Sequence, residues 1–174
     1  MTNDPQSYLD VVGQIIEKLE AENLAPVLVG GMALVILGSQ RVTKDFDFLI
    51  SEKARNLDRV MQIFYHHGLE LVSKINTRGE IIRTINNKKM AFSRLQIDKP
   101  DSAYFYNQKT GLRIDLLFDF PVPVIQVAKK AQKKKIRSYM FNIASKHDLI
   151  RLKKIAYQKR KMASDAQDLD FLNK

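Results

Sequence analysis

The 174-residue chain contains no cysteine. That removes disulfides, thiolate metal sites, cysteine nucleophiles and redox relays together. Histidine is scarce as well: His66, His67 and His147 are the full set, and no pair has the spacing of a helical zinc motif. The two neighbours at 66 and 67 are read as a helix-end or surface feature. Five prolines and seven glycines leave no collagen-like or low-complexity stretch. The longest apolar run, residues 25–37, is broken by Pro26 and by Gly30-Gly31, and a membrane-spanning helix needs roughly 20 uninterrupted apolar residues. The first ten residues, MTNDPQSYLD, lack a basic stretch followed by an apolar one. No signal peptide is expected, and a cytoplasmic location is the default expectation. No Gly-x4-Gly-Lys-Ser/Thr occurs, which argues against ATP hydrolysis of the P-loop type.

What remains is an ordinary soluble composition, 45% apolar and 28% charged, with enough chain for one domain over 1–174. The charge is unevenly spread. Residues 1–87 carry 9 basic and 11 acidic side chains, whereas residues 88–174 carry 20 and 8, so the net charge of +10 comes entirely from the second half. Lys129, Lys130, Lys133, Lys134, Lys135 and Arg137 form its densest cluster. Such a cluster suits a polyanion, because neutralised phosphates release counterions. It equally suits a solvated helix face.

Periodicity predicts an α/β (α+β) fold: a mixed sheet flanked by helices, with a core over about 24–120 and a helical, basic C-terminal part over about 121–174. Leu9, Val12, Ile15, Ile16 and Leu19 fall at helical spacing within 8–22. A short strand ends at Val29, the Gly30-Gly31 turn opens a short apolar helix, and 45–50 reads as a second strand. Residues 52–67 read as helix and 69–98 as β-structure, with Asn86-Asn87 turning a hairpin between 81–85 and 90–97. A second hairpin is expected around Lys109-Thr110-Gly111. Beyond it come a helix over 124–134, a strand over 139–143 and two helices, with Ser145/Asp148 and Ser164/Gln167 as capping boxes.

The chemistry concentrates on two strands. In Asp45-Phe46-Asp47-Phe48 the period of two puts Asp45 and Asp47 on one face and both phenylalanines on the other. Two such carboxylates repel unless a cation lies between them, and oxygen ligands suit Mg²⁺ (or Mn²⁺). In Arg113-Ile114-Asp115-Leu116 a third carboxylate stands on a second strand, with a salt bridge to Arg113 as its alternative employment. Three carboxylates can hold two metals that bridge a nucleotide's phosphates. The bare backbone of Gly30 and Gly31 suits close approach of a phosphate. Farther on, Lys153 falls in the middle of the apolar arc of a helix beginning at Lys146, an unusual place for a lysine without a partner or a task. On the next helix Asp165 and Asp168 share the side of Leu169 and Leu172. A Lys153–Asp168 ion pair pinning the helices is the structural reading. Tyr104, Phe105 and Tyr106 are read first as packing residues of a hairpin and second as stacking surfaces.

An apolar residue, Gly-Gly, 13 intervening residues and then Asp-x-Asp, followed by Ile114-Asp115-Leu116, resembles the DNA polymerase β-type nucleotidyltransferase superfamily. More narrowly, LVGGMALVILGSQRVTKDFDF is similar to the abortive-infection toxin-type (AbiEii-like) nucleotidyltransferases, whose Arg-x-Thr-x-Asp-x-Asp stretch is matched by Arg41, Thr43, Asp45 and Asp47. The resemblance is strong over 24–50, moderate over 111–118 and loose over the C-terminal helices. It implies transfer of a nucleoside monophosphate from an NTP, with two metals at Asp45, Asp47 and Asp115 and with Asp115 activating an acceptor hydroxyl. It further implies that Arg41 and Lys153 offset phosphate charge, that Thr43 and one of Asp165 and Asp168 serve the nucleotide site, and that an antitoxin protein is a partner. An RNA end such as that of tRNA suits the basic half as acceptor. A small antibiotic-like molecule or a protein hydroxyl stays open, as does a catalytically silent member of the fold that binds RNA or protein.

Overall fold

The computed structural model describes residues 5–174, with side chains described from Tyr8 onward; the segment read for a leader falls partly outside it, at residues 1–4. Helix α1 (Pro5–Ala21) leads into strand β1 (Val27–Val29), helix α2 (Gly30–Ile36) and strand β2 (Asp45–Ile50). A 3-10 turn (Glu52–Asn56) precedes α3 (Asp58–His66), β3 (Glu70–Ile75), β4 (Ile81–Ile85) and α4 (Lys88–Asp98). Then come β5 (Ser102–Tyr106), β6 (Arg113–Phe118), α5 (Val124–Ala128), β7 (Gln132–Ile136), β8 (Tyr139–Ile143), α6 (Lys146–Arg160) and α7 (Ala163–Leu172). Among the described residues the eight strands form one mixed sheet in the order β4-β3-β5-β6-β2-β1-β8-β7. The α/β class is as expected. No described helix is long and apolar enough to cross a membrane.

Alternation in β2 sorts the two faces of the sheet. Phe46 and Phe48 are buried on the side that also holds Leu28, Ile114 and Phe105, and Phe105 stacks on Phe64 of α3 at 4.3 Å. Asp45 and Asp47 therefore take the opposite face. Strand β2 lies antiparallel to β1 and parallel to β6, so the centre of the sheet is a three-strand platform for the acidic residues. Helices α6 and α7 pack against each other beyond it.

Several sequence expectations fail. Residues 90–97 are helix, not strand: Asn87 does not turn a hairpin but caps α4, its Oδ1 accepting from Met90 N at 3.0 Å. The hairpin partner of β4 is β3, and its turn is built on Asn76, whose Oδ1 accepts from the backbone N–H groups of Arg78 and Glu80. The helix expected over 124–134 stops at Ala128, and the lysine run becomes β7, an edge strand with every lysine exposed. Lysine at an unpaired edge blunts edge-to-edge association; of the basic cluster, Lys133, Lys134 and Lys135 lie on this strand, with Lys129 and Lys130 in the turn before it and Arg137 in the turn after it, rather than on a helix face. The capping box at Ser164 is also absent, because α7 starts at Ala163 with Met162 before it and no side-chain cap. The Ser145 cap is present: its Oγ accepts from Asp148 N at 3.1 Å.

Candidate active site

Parallel pairing of β2 with β6 sets Asp47 directly beside Asp115 and Asp45 directly beside Arg113. Four charged side chains thus occupy adjacent register positions on one face. The Asp47 and Asp115 carboxyl groups stand side by side on neighbouring strands. Arg113 Nε donates to Asp115 Oδ1 at 3.0 Å, and its guanidinium lies 4.5 Å over the Tyr104 ring. Burial, and then the Asp47 charge, push the Asp115 carboxyl up to about 8. Asp47 is raised as well, by burial first and by Asp45 in addition. Burial works against the charge on Arg113, yet Asp115 and Asp45 more than compensate and raise it above its ordinary value. Between them, the adjoining carboxyl groups of Asp47 and Asp115 retain a proton that an isolated pair at neutral pH would release.

The two glycines are required by the site's own side chains. Gly30 sits at φ +71°, and a Cβ there would lie 2.9 Å from Asp47 Cγ; a Cβ at Gly31 would lie 2.9 Å from Arg41 Cζ. The turn therefore lets a carboxylate and a guanidinium lie against bare backbone. Thr43 Oγ1 accepts from Asp45 N at 3.3 Å, which fixes the entry of β2.

Arg41 begins a chain of alternating charge. It pairs with Asp168, whose Oδ2 is 2.7 Å from Lys153 Nζ; Lys153 is in turn 3.4 Å from Asp165 Oδ1, and Arg160 Nη2 donates to both Asp165 oxygens at 2.9 and 3.0 Å. Lys153, Asp165 and Asp168 are all buried. Both aspartates hold Lys153, and Asp168 also pairs with Arg41.

A cleft of about 280 Å³ gathers Gly30, Asp47, Asp115 and Lys153. Asp45 stands outside its lining, and among the described residues no ready-made cage of three or more acidic or histidine side chains is present. Arg113 takes the counter-ion position beside Asp45 and Asp115, an arrangement the sequence raised only as an Asp115 salt bridge. Arg160 was missed altogether, since nothing in the sequence ties it to Asp165. The aromatic triplet divides as its alternation requires, with Phe105 in the core and Tyr104 on the carboxylate face. His67 caps α3, its Nδ1 lying 2.8 Å from Ile63 O.

A family model described as nucleotidyl transferase AbiEii toxin, type IV TA system, matches residues 12–174. No match is found among curated proteins. Solved structures resemble the chain in fold. An antigenic nucleotidyltransferase-like protein from Paracoccidioides brasiliensis aligns with TM-score 0.59 and 18% identity over 95% of this chain and 74% of its own. The lincomycin-bound lincosamide antibiotic adenylyltransferase LnuA aligns with TM-score 0.55 and 12% identity, over 94% and 95%. The antibiotic-resistance factor ANT(2'')-Ia in complex with adenylyl-2''-tobramycin aligns with TM-score 0.57 and 12% identity, over 95% and 87%. Because the family model spans almost the whole chain, this protein belongs to the AbiEii family of nucleotidyl transferase toxins of type IV toxin–antitoxin systems.

Proposed function

We propose that the protein moves a nucleoside monophosphate from an NTP to the terminal hydroxyl of an RNA, in a reaction that depends on Mg²⁺ or Mn²⁺. The observation that carries this reading is the direct register of Asp47 with Asp115 in one cleft with Gly30 and Lys153. The donor set fits a hard divalent cation: the oxygens are all carboxylate, crowded and partly buried, so that they retain a proton where a cation would relieve their repulsion. Asp47 and Asp115 would hold it, with Asp45 as the third oxygen donor on the same face. When bound, the metal neutralises phosphate charge and stabilises the attacking and leaving oxygens.

The remaining work falls to the chain itself. Asp115 accepts the proton of the acceptor hydroxyl as that oxygen bonds to the α-phosphorus, the bond from the α-phosphorus to the bridging oxygen breaks, and pyrophosphate leaves. Lys153 lines the cleft as a cation for the leaving phosphates, held at a fixed place by Asp165 and Asp168. Arg41 and Asp168 tie the α2–β2 connection to α7, and Thr43 steadies Asp45. Gly30 brings bare backbone to the cleft wall, with Gly31 beneath Arg41.

RNA is favoured as acceptor by the placement of the lysine strand. Cross-strand pairing carries Lys133 and Lys135 to the same sheet face as Asp45 and Asp47, while Lys134 turns to the other face and donates to Ile36 O at 3.1 Å. Phosphate contacts from such residues position a nucleic acid without reading its sequence. A small antibiotic-like hydroxyl is the second acceptor class, suggested by the fold shared with LnuA and ANT(2'')-Ia. The test incubates the protein with each α-labelled NTP, Mg²⁺ and total cellular RNA. Label in RNA, lost in Asp47→Ala and Asp115→Ala, is expected; label retained in both variants refutes the assignment. An antitoxin counterpart, which the family suggests, and a cytoplasmic site of action complete the reading.

A further inference from the structure

The carboxylates make up only part of the cleft lining. Besides Gly30, Asp47, Asp115 and Lys153 the cleft is lined by Leu117, Phe120, Pro121, Ile155, Ala156 and Lys159. Leu117 shares the face of Asp115, two residues on along β6. The chain then leaves the sheet at Asp119, which has φ +51° and is held on every side. Its backbone N–H donates to Ile50 O at 2.8 Å, one side-chain oxygen accepts from Glu52 N at 2.9 Å, and the other accepts from Val124 N at 2.8 Å. Phe120, the next residue, is thereby fixed on a rigid lip.

Phe120 is not a core residue. It is half-buried, and it stands apart from the side chains packed into or against the hydrophobic core. Its ring meets the ammonium of Lys159, 4.8 Å from the ring centroid, on an exposed stretch of α6. A phenyl ring on a fixed lip, outside the core and opening into the cleft that holds the carboxylates, offers a flat apolar surface where a flat ring can lie. The walls beside it are aliphatic, and the ammonium over one face of the ring belongs to an exposed lysine, which a stacking base displaces or leaves on the opposite face.

We infer that Phe120, which shares its cleft with Leu117, Ile155 and Ala156 and carries the Lys159 ammonium over one ring face, is the stacking platform for a nucleobase at this site. The inference rests on the proposed transfer of a nucleotide and specifies where its base lies. One chemistry has two sources here: the base of the donor NTP, or the base of the acceptor's terminal nucleotide. Stacking tolerates any base, because each has a π-face. Lys159 can only donate hydrogen bonds.

The test uses the full chain with Phe120→Leu, which keeps apolar volume but removes the ring face, and Phe120→Tyr, which restores it. Dissociation constants are measured for an NTP with Mg²⁺ and for inorganic triphosphate with Mg²⁺, which has no base. KM values for NTP and for RNA acceptor are taken beside them, with thermal unfolding as the folding check. If the donor base stacks here, Phe120→Leu weakens NTP about 5- to 150-fold, as loss of one base–aromatic stack does. Triphosphate binding and the acceptor KM stay unchanged, and Phe120→Tyr recovers NTP affinity. If the acceptor base stacks here, the acceptor KM rises by that factor and NTP binding is untouched. Wild-type NTP affinity together with wild-type acceptor KM in a folded Phe120→Leu variant overturns the platform alone. An equal loss of triphosphate and NTP binding overturns it too, since the ring would then serve structure and not the base. Failure of the wild-type protein to bind NTP at all overturns the nucleotidyl-transfer reading and the platform with it.

Discussion

Replacing Lys153 with methionine separates what the buried charges do for folding from what they do for catalysis. The five-residue chain Arg41–Asp168–Lys153–Asp165–Arg160 carries three positive and two negative charges. Removing Lys153 leaves two complete pairs, Arg41–Asp168 and Arg160–Asp165, so neither buried carboxylate loses its last counter-ion. The ammonium's desolvation cost disappears and methionine fills most of the volume of the lysine stem. The net effect on stability is under about 1 kcal/mol. Removing Asp168 instead, as Asp168→Asn, leaves Arg41 unpaired and Lys153 sharing Asp165 with Arg160. Lys153 has only 9% of its side chain exposed, so solvent cannot take over. That substitution costs about 3 kcal/mol, the lower end for an uncompensated buried charge. For a chain of this length each kcal/mol shifts Tm by about 2–4 °C, so Asp168→Asn falls by about 6–12 °C and Lys153→Met by no more than about 4 °C. Thermal unfolding by circular dichroism reads both, and nucleotide transfer is assayed on the same samples. Lys153→Met is expected to be folded and to lose transfer by about 100-fold or more, as loss of an electrostatic stabiliser does. A Tm drop in Lys153→Met as large as that in Asp168→Asn would refute the charge accounting.

Metal-free protein should lose stability as pH rises from about 4 to about 8, because Asp115 is raised in the folded state and the native chain holds a proton that the unfolded chain releases near its ordinary value. The contribution is complete below about pH 4 and gone above about pH 8; Mg²⁺ added at pH 8 should restore Tm, and a metal-free Tm unchanged over this range contradicts the assignment. Gly30→Ala should abolish transfer and lower Tm, since a Cβ meets Asp47 in a left-handed backbone; normal activity in that variant would mean the carboxylate need not lie against the turn. If RNA is the acceptor, Lys133→Gln with Lys135→Gln should flatten the salt dependence of RNA binding by up to about 0.7 for each single-strand phosphate no longer neutralised, whereas Lys134→Gln, on the other face, should not. Equal slopes for the two sets in filter-binding titrations would show that the strand is only a protected edge.

Local pattern carried the acidic strand. In Asp45–Ile50 alternation alone assigns the faces, because a strand's period of two leaves no other choice once the phenylalanines are buried. Lys153 was legible for a similar reason, as a charge inside an apolar helical arc, and it is buried. Where local signals were ambiguous the reading failed. Residues 88–98 place apolar side chains on more than one face, Met90 and Ile97 exposed against Ala91 and Leu95 buried, so neither period stands out. Asn87 suits a turn and a helix cap equally well. The lysine run satisfied helical spacing until pairing with β8 made it a strand, a choice that lies with tertiary contacts rather than propensity. The Lys153–Asp168 ion pair was legible in the sequence and is present; the pairing of Asp47 with Asp115, the insertion of Arg113 beside Asp45, the joining of Arg41 to Asp168 and the lip at Phe120 were decided only in three dimensions. Each joins residues far apart in the chain, through a parallel register or a helix–helix packing that no short stretch of sequence encodes.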